Sequence, residues 1–144
     1  MKPRIRICLA GLLTLLPASA IACPGLEVSG LWIREAPPAA STMVAYMDLS
    51  NTGTQPLVID HIAGADFGGS MLHSTVVVDG ISKMRHVDEL ELPAGESRAL
   101  TPGGLHLMLF RPARPLRSGD TSELTVQCGD QQLALPAPVL KSAP

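Results

Sequence analysis

Beyond residue 23 the chain never repeats an apolar residue at helical spacing for three turns, while alternation at period two recurs along its length. Such alternation puts successive side chains on opposite faces of a strand. Thr42 to Leu49 shows it well: Met43, Ala45, Met47 and Leu49 fall on one face, Val44 and Tyr46 on the other. Leu26 to Arg34, Leu57 to Ile62, Met71 to Val78, Ile81 to Val87, Glu89 to Leu92, Ser97 to Leu100, Leu105 to Phe110, Glu123 to Cys128 and Gln131 to Leu135 read as further strands. Turn signals separate them: Asn51-Thr52-Gly53, Asp79-Gly80, Pro93-Ala94-Gly95 and Gly129-Asp130. With 13 Pro and 13 Gly in 144 residues, the expected fold is one all-β sandwich or barrel.

The first 22 residues follow a different logic. Lys2, Arg4 and Arg6 precede an apolar run from Ile7 to Leu16, and small residues follow through Ala22. This is the pattern of a cleaved export signal, and the run is too short to span a bilayer. The expected division is a signal at 1–22 and one domain at 23–144, with no membrane insertion after cleavage. Cleavage fits after Ala20 or after Ala22. It would leave eight Lys and Arg against thirteen Asp and Glu, a formal charge of −5. An acidic chain with four aromatic residues beyond the signal, Trp32, Tyr46, Phe67 and Phe110, is a poor partner for nucleic acid.

Cys8 falls within the signal, which leaves Cys23 and Cys128. In an oxidising compartment two cysteines point to one disulfide. Lipidation of Cys23 competes, although Ala20 stands where a lipobox usually has Leu. An unpaired thiol is the third alternative.

The chemistry lies in the histidines and methionines. A two-residue Asp79-Gly80 turn pairs Val78 with Ile81. Counting outward, Thr75 faces Met84 and His73 faces His86, so all four share one face. On the strand from Leu105, the leucines Leu105, Leu107 and Leu109 point one way, and His106 and Met108 the other. Thioether sulfur is a soft neutral donor and imidazole a borderline one, so two of each select Cu(I) over Zn(II), Mg(II) or Ca(II). Met43 and Met47 read as core fillers and His61 as an ordinary surface histidine. Met71 and His86 are candidates for an auxiliary role, Met71 as a further sulfur and His86 as an outer ligand or proton acceptor.

His73, ten residues, Met84, twenty-one residues and His106-Leu107-Met108 form the pattern H-X10-M-X21-H-X-M. It resembles the signature of bacterial periplasmic copper chaperones of the PCu(A)C type. Trp32-Ile33-Arg34-Glu35-Ala36-Pro37-Pro38, Tyr46-Met47-Asp48-Leu49-Ser50-Asn51, Lys83-Met84-Arg85 and Pro102 to Leu109 resemble segments of that family, and the likeness runs from about residue 26 to 138. The resemblance implies a cupredoxin-like Greek-key β-sandwich with a surface Cu(I) site at His73, Met84, His106 and Met108. It also implies delivery of copper to an acceptor in the periplasm; the chain is expected to be a monomer. In the family that acceptor is typically the CuA centre in subunit II of cytochrome c oxidase, often with Sco-type proteins alongside, and the resemblance implies the same here. His86 departs from the pattern, which has proline there, and the cysteine pair lies outside the ligand signature.

Three other functions fit less well. A blue-copper electron carrier needs a Cys thiolate with His and Met shortly downstream, and Cys128 has neither. No GxSxG, HExxH or P-loop marks an enzyme. A metal-free β-sandwich for binding or assembly is the main alternative, and it leaves the ligand spacing to chance.

Overall fold

The computed structural model describes residues 23–144, and the expected export signal lies outside the described residues. Among the described residues eleven strands are present: β1 (Leu26–Arg34), β2 (Thr42–Asn51), β3 (Leu57–Ile59), β4 (His61–Gly64), β5 (Phe67–Val78), β6 (Ile81–Val87), β7 (Leu90–Leu92), β8 (Ser97–Leu100), β9 (Leu105–Pro112), β10 (Thr121–Cys128) and β11 (Gln131–Leu140). Nine belong to one sheet ordered β4-β10-β11-β1-β2-β9-β5-β6, with β8 also paired to β2; β3 and β7 form a small second sheet. The long sheet curls on itself, and the Ser70 hydroxyl of β5 donates to the Ile62 carbonyl of β4 at 2.6 Å. The result is the cupredoxin-like β-sandwich. β1 and β11 run parallel, while the other pairings are antiparallel.

The core fills from alternate positions, as period two requires. Met43, Ala45, Met47 and Leu49 of β2 are buried, as are Leu107 and Leu109 of β9 and Leu124 and Val126 of β10. This packing also aims the other face. Sliding β9 by one residue would expose Leu107 and Leu109, at a cost of about 3–6 kcal/mol for the pair. The leucines therefore hold His106 and Met108 on the opposite side.

The strands depart from the pattern read in the sequence most clearly in two places. The single strand expected from Leu57 to Ile62 breaks at Asp60: β3 pairs with β7, whereas β4 pairs with β10. The Asp60 backbone N–H turns to the Gln127 carbonyl, and its carboxylate accepts from the Gly129 N–H, so this residue anchors the corner. The last strand runs on to Leu140 through two prolines. Val139 exchanges backbone hydrogen bonds with Gly119 and Asp120, so Pro136 and Pro138 turn their nitrogens to the other edge. On that edge β1 joins only at Val139 and Leu140, and the missing donors cost no ladder bond.

Cys23 and Cys128 are disulfide-bonded with their Cα atoms 5.7 Å apart. The bridge ties the start of the domain to the end of β10, and Cys23 is buried in the core. Its sulfur is thereby committed to a partner other than lipid.

Candidate metal centre

The β5–β6 hairpin sets the first half of the site. Asp79 and Gly80 both take positive φ, 52° and 76°, as a type I′ turn demands. The tight turn fixes the register read from the sequence: Val78 opposite Ile81, Thr75 opposite Met84, and His73 opposite His86. β9 supplies the second half. It lies on the other side of β5, with His73 opposite His106 and Met71 opposite Met108. One imidazole row thus crosses three strands, His86–His73–His106, with Met108 and Met71 in the row below and Met84 in the row above.

Side-chain contacts draw this face together. His73 Nδ1 lies 2.8 Å from the sulfur of Met108. The His73 ring centroid is 5.7 Å from that of His86 and 6.1 Å from that of His106, both edge-on. His106 Nδ1 donates to the Gly104 carbonyl at 2.9 Å, which leaves Nε2 as the lone-pair nitrogen. The same carbonyl accepts the Thr75 N–H, so the loop before β9 is fastened to β5 as well. Trp32 and Tyr46, 5.0 Å apart, continue the outer face onto β1 and β2. Extending the β2–β9 register by one residue brings Tyr46 opposite His106.

The four predicted ligands differ widely in exposure. His106 is 7% exposed, His73 and Met108 are half-buried, and Met84 is 64% exposed. Burial, then the nearby His106 and His86 imidazoles, push the His73 pKa below the ordinary 6.5. At neutral pH His73 is thereby held in its unprotonated, ligating form. Among the described residues no three His, Cys, Asp or Glu side chains are grouped to hold a metal ion by themselves. The donor set at this face is therefore mixed nitrogen and thioether sulfur. Placing an ion between His73 and Met108 requires their donor atoms to part by less than about 1 Å, given metal–N and metal–S bonds near 2.0 and 2.3 Å. The residues fit a soft ion.

The remaining His and Met residues also have definite places. Met43 and Met47 are core residues. His61 sits on β4, with Nε2 3.2 Å from the Ser70 hydroxyl, outside the imidazole row. It lines a cleft of about 220 Å³ whose walls include Met71 and His86. Met71, directly opposite Met108, is 47% exposed. The sequence pattern alone gave no sign of the His86–Asp88 contact, in which Nε2 lies 3.2 Å from the carboxylate.

The fold, the family model and the similar solved structures together define a PCuAC-type copper-chaperone domain. The chain belongs to the family described as "Putative lipoprotein LpqE-like", whose model matches residues 26–139. It is 30% identical over 127 residues to "Putative lipoprotein Lxx21020" of Leifsonia xyli subsp. xyli (strain CTCB07), covering 85% of this chain and 75% of that one. Among solved structures it is similar to the Cu(I) form of DR1885 from Deinococcus radiodurans. That match has 32% identity and a TM-score of 0.68 and covers 87% of this chain and 84% of the other. The copper-bound PCuAC domain from PmoF2 shares the fold with a TM-score of 0.70 at 20% identity, over 84% of this chain and 97% of that one.

Proposed function

We propose that this protein carries Cu(I) in the bacterial envelope, held by His73, Met84, His106 and Met108, and passes it to an acceptor protein. The observation that carries this reading is the meeting of His73, His106 and Met108 on one outward face. The similarity to the Cu(I) form of DR1885 supports the choice of ion. Neutral ligands suit a monovalent soft cation, since no thiolate or carboxylate charge has to be neutralised.

The graded exposure supports transfer rather than storage. An acceptor can replace the exposed Met84 first, then the half-buried Met108 and His73, and last His106, which the Gly104 carbonyl orients. Each exchange trades one bond for another, so a tightly held ion moves without ever being free in solution. The protein acts as a carrier and performs no chemical conversion of its own. The CuA centre in subunit II of cytochrome c oxidase is the proposed destination, with a Sco-type protein alongside. The periplasm is the proposed compartment, in keeping with the lipoprotein names of the relatives and the export pattern of residues 1–22. In this reading the negative charge of the exported chain steers it toward a basic patch on the acceptor.

X-ray absorption at the copper edge of the Cu(I)-loaded protein tests the assignment. The expected spectrum fits two nitrogen and two sulfur scatterers at stoichiometric copper. A protein that binds no Cu(I) would return the fold to the metal-free binding module, and copper without sulfur neighbours would overturn the thioether ligand set.

A further inference from the structure

The exported chain is acidic, but its charge is unevenly spread. After residue 22 it holds eight Lys and Arg. Five of them, Arg34, Arg111, Arg114, Arg117 and Lys141, line two adjoining clefts of about 550 and 330 Å³ that share Pro37, Pro38, Met43 and Arg117. Three carboxylates pair with cations there: Glu35 with Arg117 at 4.0 Å, and Asp66 and Asp120 with Arg114 at 3.2 and 3.7 Å. The rest of the domain has three cations against ten carboxylates. Among the described residues Arg34 and Lys141 have no ion-pair partner. The Arg111 guanidinium donates to the Gly68 carbonyl rather than to a carboxylate.

The larger cleft opens on the same face of the sheet as the proposed copper ligands. Met43 and Ala45 are buried in the core, so Val44 between them points outward. Arg34 is opposite Val44, Val44 opposite Met108, and Met108 opposite Met71, in one row across β1, β2, β9 and β5. Arg34 and Val44 both line the larger cleft. Two strand spacings put the Arg34 backbone about 10 Å from that of Met108. A protein that touches the copper face over about 600–800 Å² covers a disc of roughly 14–16 Å radius. A partner centred on Met108 therefore lies over Arg34 and the mouth of this cleft.

Covering Arg34 and Lys141 takes two unpaired cations out of water, which is unfavourable unless the partner brings negative charge to meet them. A carboxylate accepts a guanidinium in bidentate fashion, so Arg34 and Arg117 favour Asp or Glu. Between the cations the lining is apolar, with Pro37, Pro38, Met43 and Val44. The space is concave and has the β1–β2 loop as one wall, a shape that suits a length of chain better than the flat surface of a bilayer. We propose that this cleft receives a carboxylate-bearing segment of the copper acceptor and so orients the acceptor over the ligands. The acidic remainder of the surface draws a basic region of the same partner at longer range, and the cleft fixes the angle at which it sits. The identity of the partner rests on the copper-delivery reading of this face; the affinity of the cleft for carboxylates does not.

The oxidised, copper-free protein, isotope-labelled for NMR, is titrated with the acetylated peptide Glu-Glu-Leu-Glu-Glu and with the same peptide carrying Gln for Glu. Vesicles of phosphatidylglycerol and inorganic phosphate are tested in parallel. Wild type is compared with Arg34→Glu/Lys141→Glu and with the milder Arg34→Gln/Lys141→Gln. Cu(I) transfer from each protein to a soluble CuA domain is timed at low and high salt. Amide shifts caused by the Glu peptide should gather at Arg34, Val44, Arg117 and Lys141, and the Gln peptide should leave them in place. Peptide affinity should fall at least about fivefold in the charge-reversed protein and about twofold in the neutral one, and transfer should slow likewise, more at low salt than at high. Cu(I) affinity against a chromogenic chelator should stay within about twofold of wild type, since neither residue is a ligand. Equal binding of the two peptides, peptide shifts elsewhere, or equal transfer by all three proteins would overturn the proposal. So would vesicle binding tighter than peptide binding and lost in the same variants, which points to a membrane surface, or shifts produced by phosphate alone, which point to a free-anion site. Peptide binding in the cleft of a protein without Cu(I) affinity would keep the carboxylate site and overturn the copper reading of the face.

Discussion

His73 Nδ1 and the sulfur of Met108 are 2.8 Å apart although 35 positions separate them in the chain. The contact depends on β5 and β9 being adjacent, with Met71 opposite Met108 and His73 opposite His106. It also depends on Leu107 and Leu109 facing the core, because that burial gives Met108 its outward direction. The site is thus a by-product of ordinary strand packing on the other face of the same sheet.

Protonation of the apo site should follow from His73. Burial first, then His106 and His86, lower its pKa from the ordinary 6.5. The unfolded chain therefore binds this proton more readily than the folded one. The stability His73 contributes to the apo protein is intact above the unfolded value and is lost as pH falls through it toward the folded value. Titration of the apo imidazoles by NMR should give His73 a midpoint below 6.5. A midpoint at or above that value contradicts the crowding of the three rings.

The Cys23–Cys128 bridge closes a loop of 105 positions. Constraint of so long a loop in the unfolded chain stabilises the fold by about 2–5 kcal/mol. Reduction should lower the midpoint of chemical denaturation accordingly without displacing the proposed copper ligands, which lie on β5, β6 and β9 rather than beside the bridge. Thiol titration of the denatured, unreduced domain should find no free cysteine. Two free thiols, or a lipid mass on Cys23, would contradict the pairing.

Asn51 offers a test of the fold away from copper. It is 2% exposed, its Nδ2 donates to the carbonyls of Gln55 and Leu92 at 2.8 Å each, and its Oδ1 accepts the Gly53 N–H at 3.0 Å. Asn51→Ala removes all three and strands buried backbone groups, at a cost of about 2–4 kcal/mol. Denaturant unfolding should show that loss with Cu(I) affinity unchanged. A loss under about 0.5 kcal/mol would mean that water replaces the side chain without penalty.

Much of the site was legible in the sequence because two local signals were strong. Asp79-Gly80 allows essentially one hairpin register, and that register places His73, Thr75, Met84 and His86 on one face. The Leu105-Leu107-Leu109 alternation gives β9 its orientation. Neither signal says that β9 lies beside β5, a pairing set by the global wrap of the sheet; the family resemblance supplied that link. The break at Asp60 was not legible, because both halves of Leu57 to Ile62 are apolar and the residue that parts them acts through distant contacts with Gln127 and Gly129. Phe67 to Ser70 was missed since Gly68 and Gly69 weaken any strand signal. Pro136 and Pro138 concealed the end of β11 for the reason seen in its edge geometry.

The central claim is that thioether sulfur binds Cu(I) here. Met84 is exposed and Met108 half-buried, so replacing both with Leu should cost under about 1.5 kcal/mol of stability at each position. The decisive measurement is Cu(I) competition with a chromogenic chelator at neutral pH, on wild type and on the Met84→Leu/Met108→Leu protein. The account predicts equal circular dichroism spectra and a loss of Cu(I) affinity of at least about tenfold in the double variant. Equal Cu(I) affinity in the two folded proteins would contradict it and reduce both methionines to packing residues.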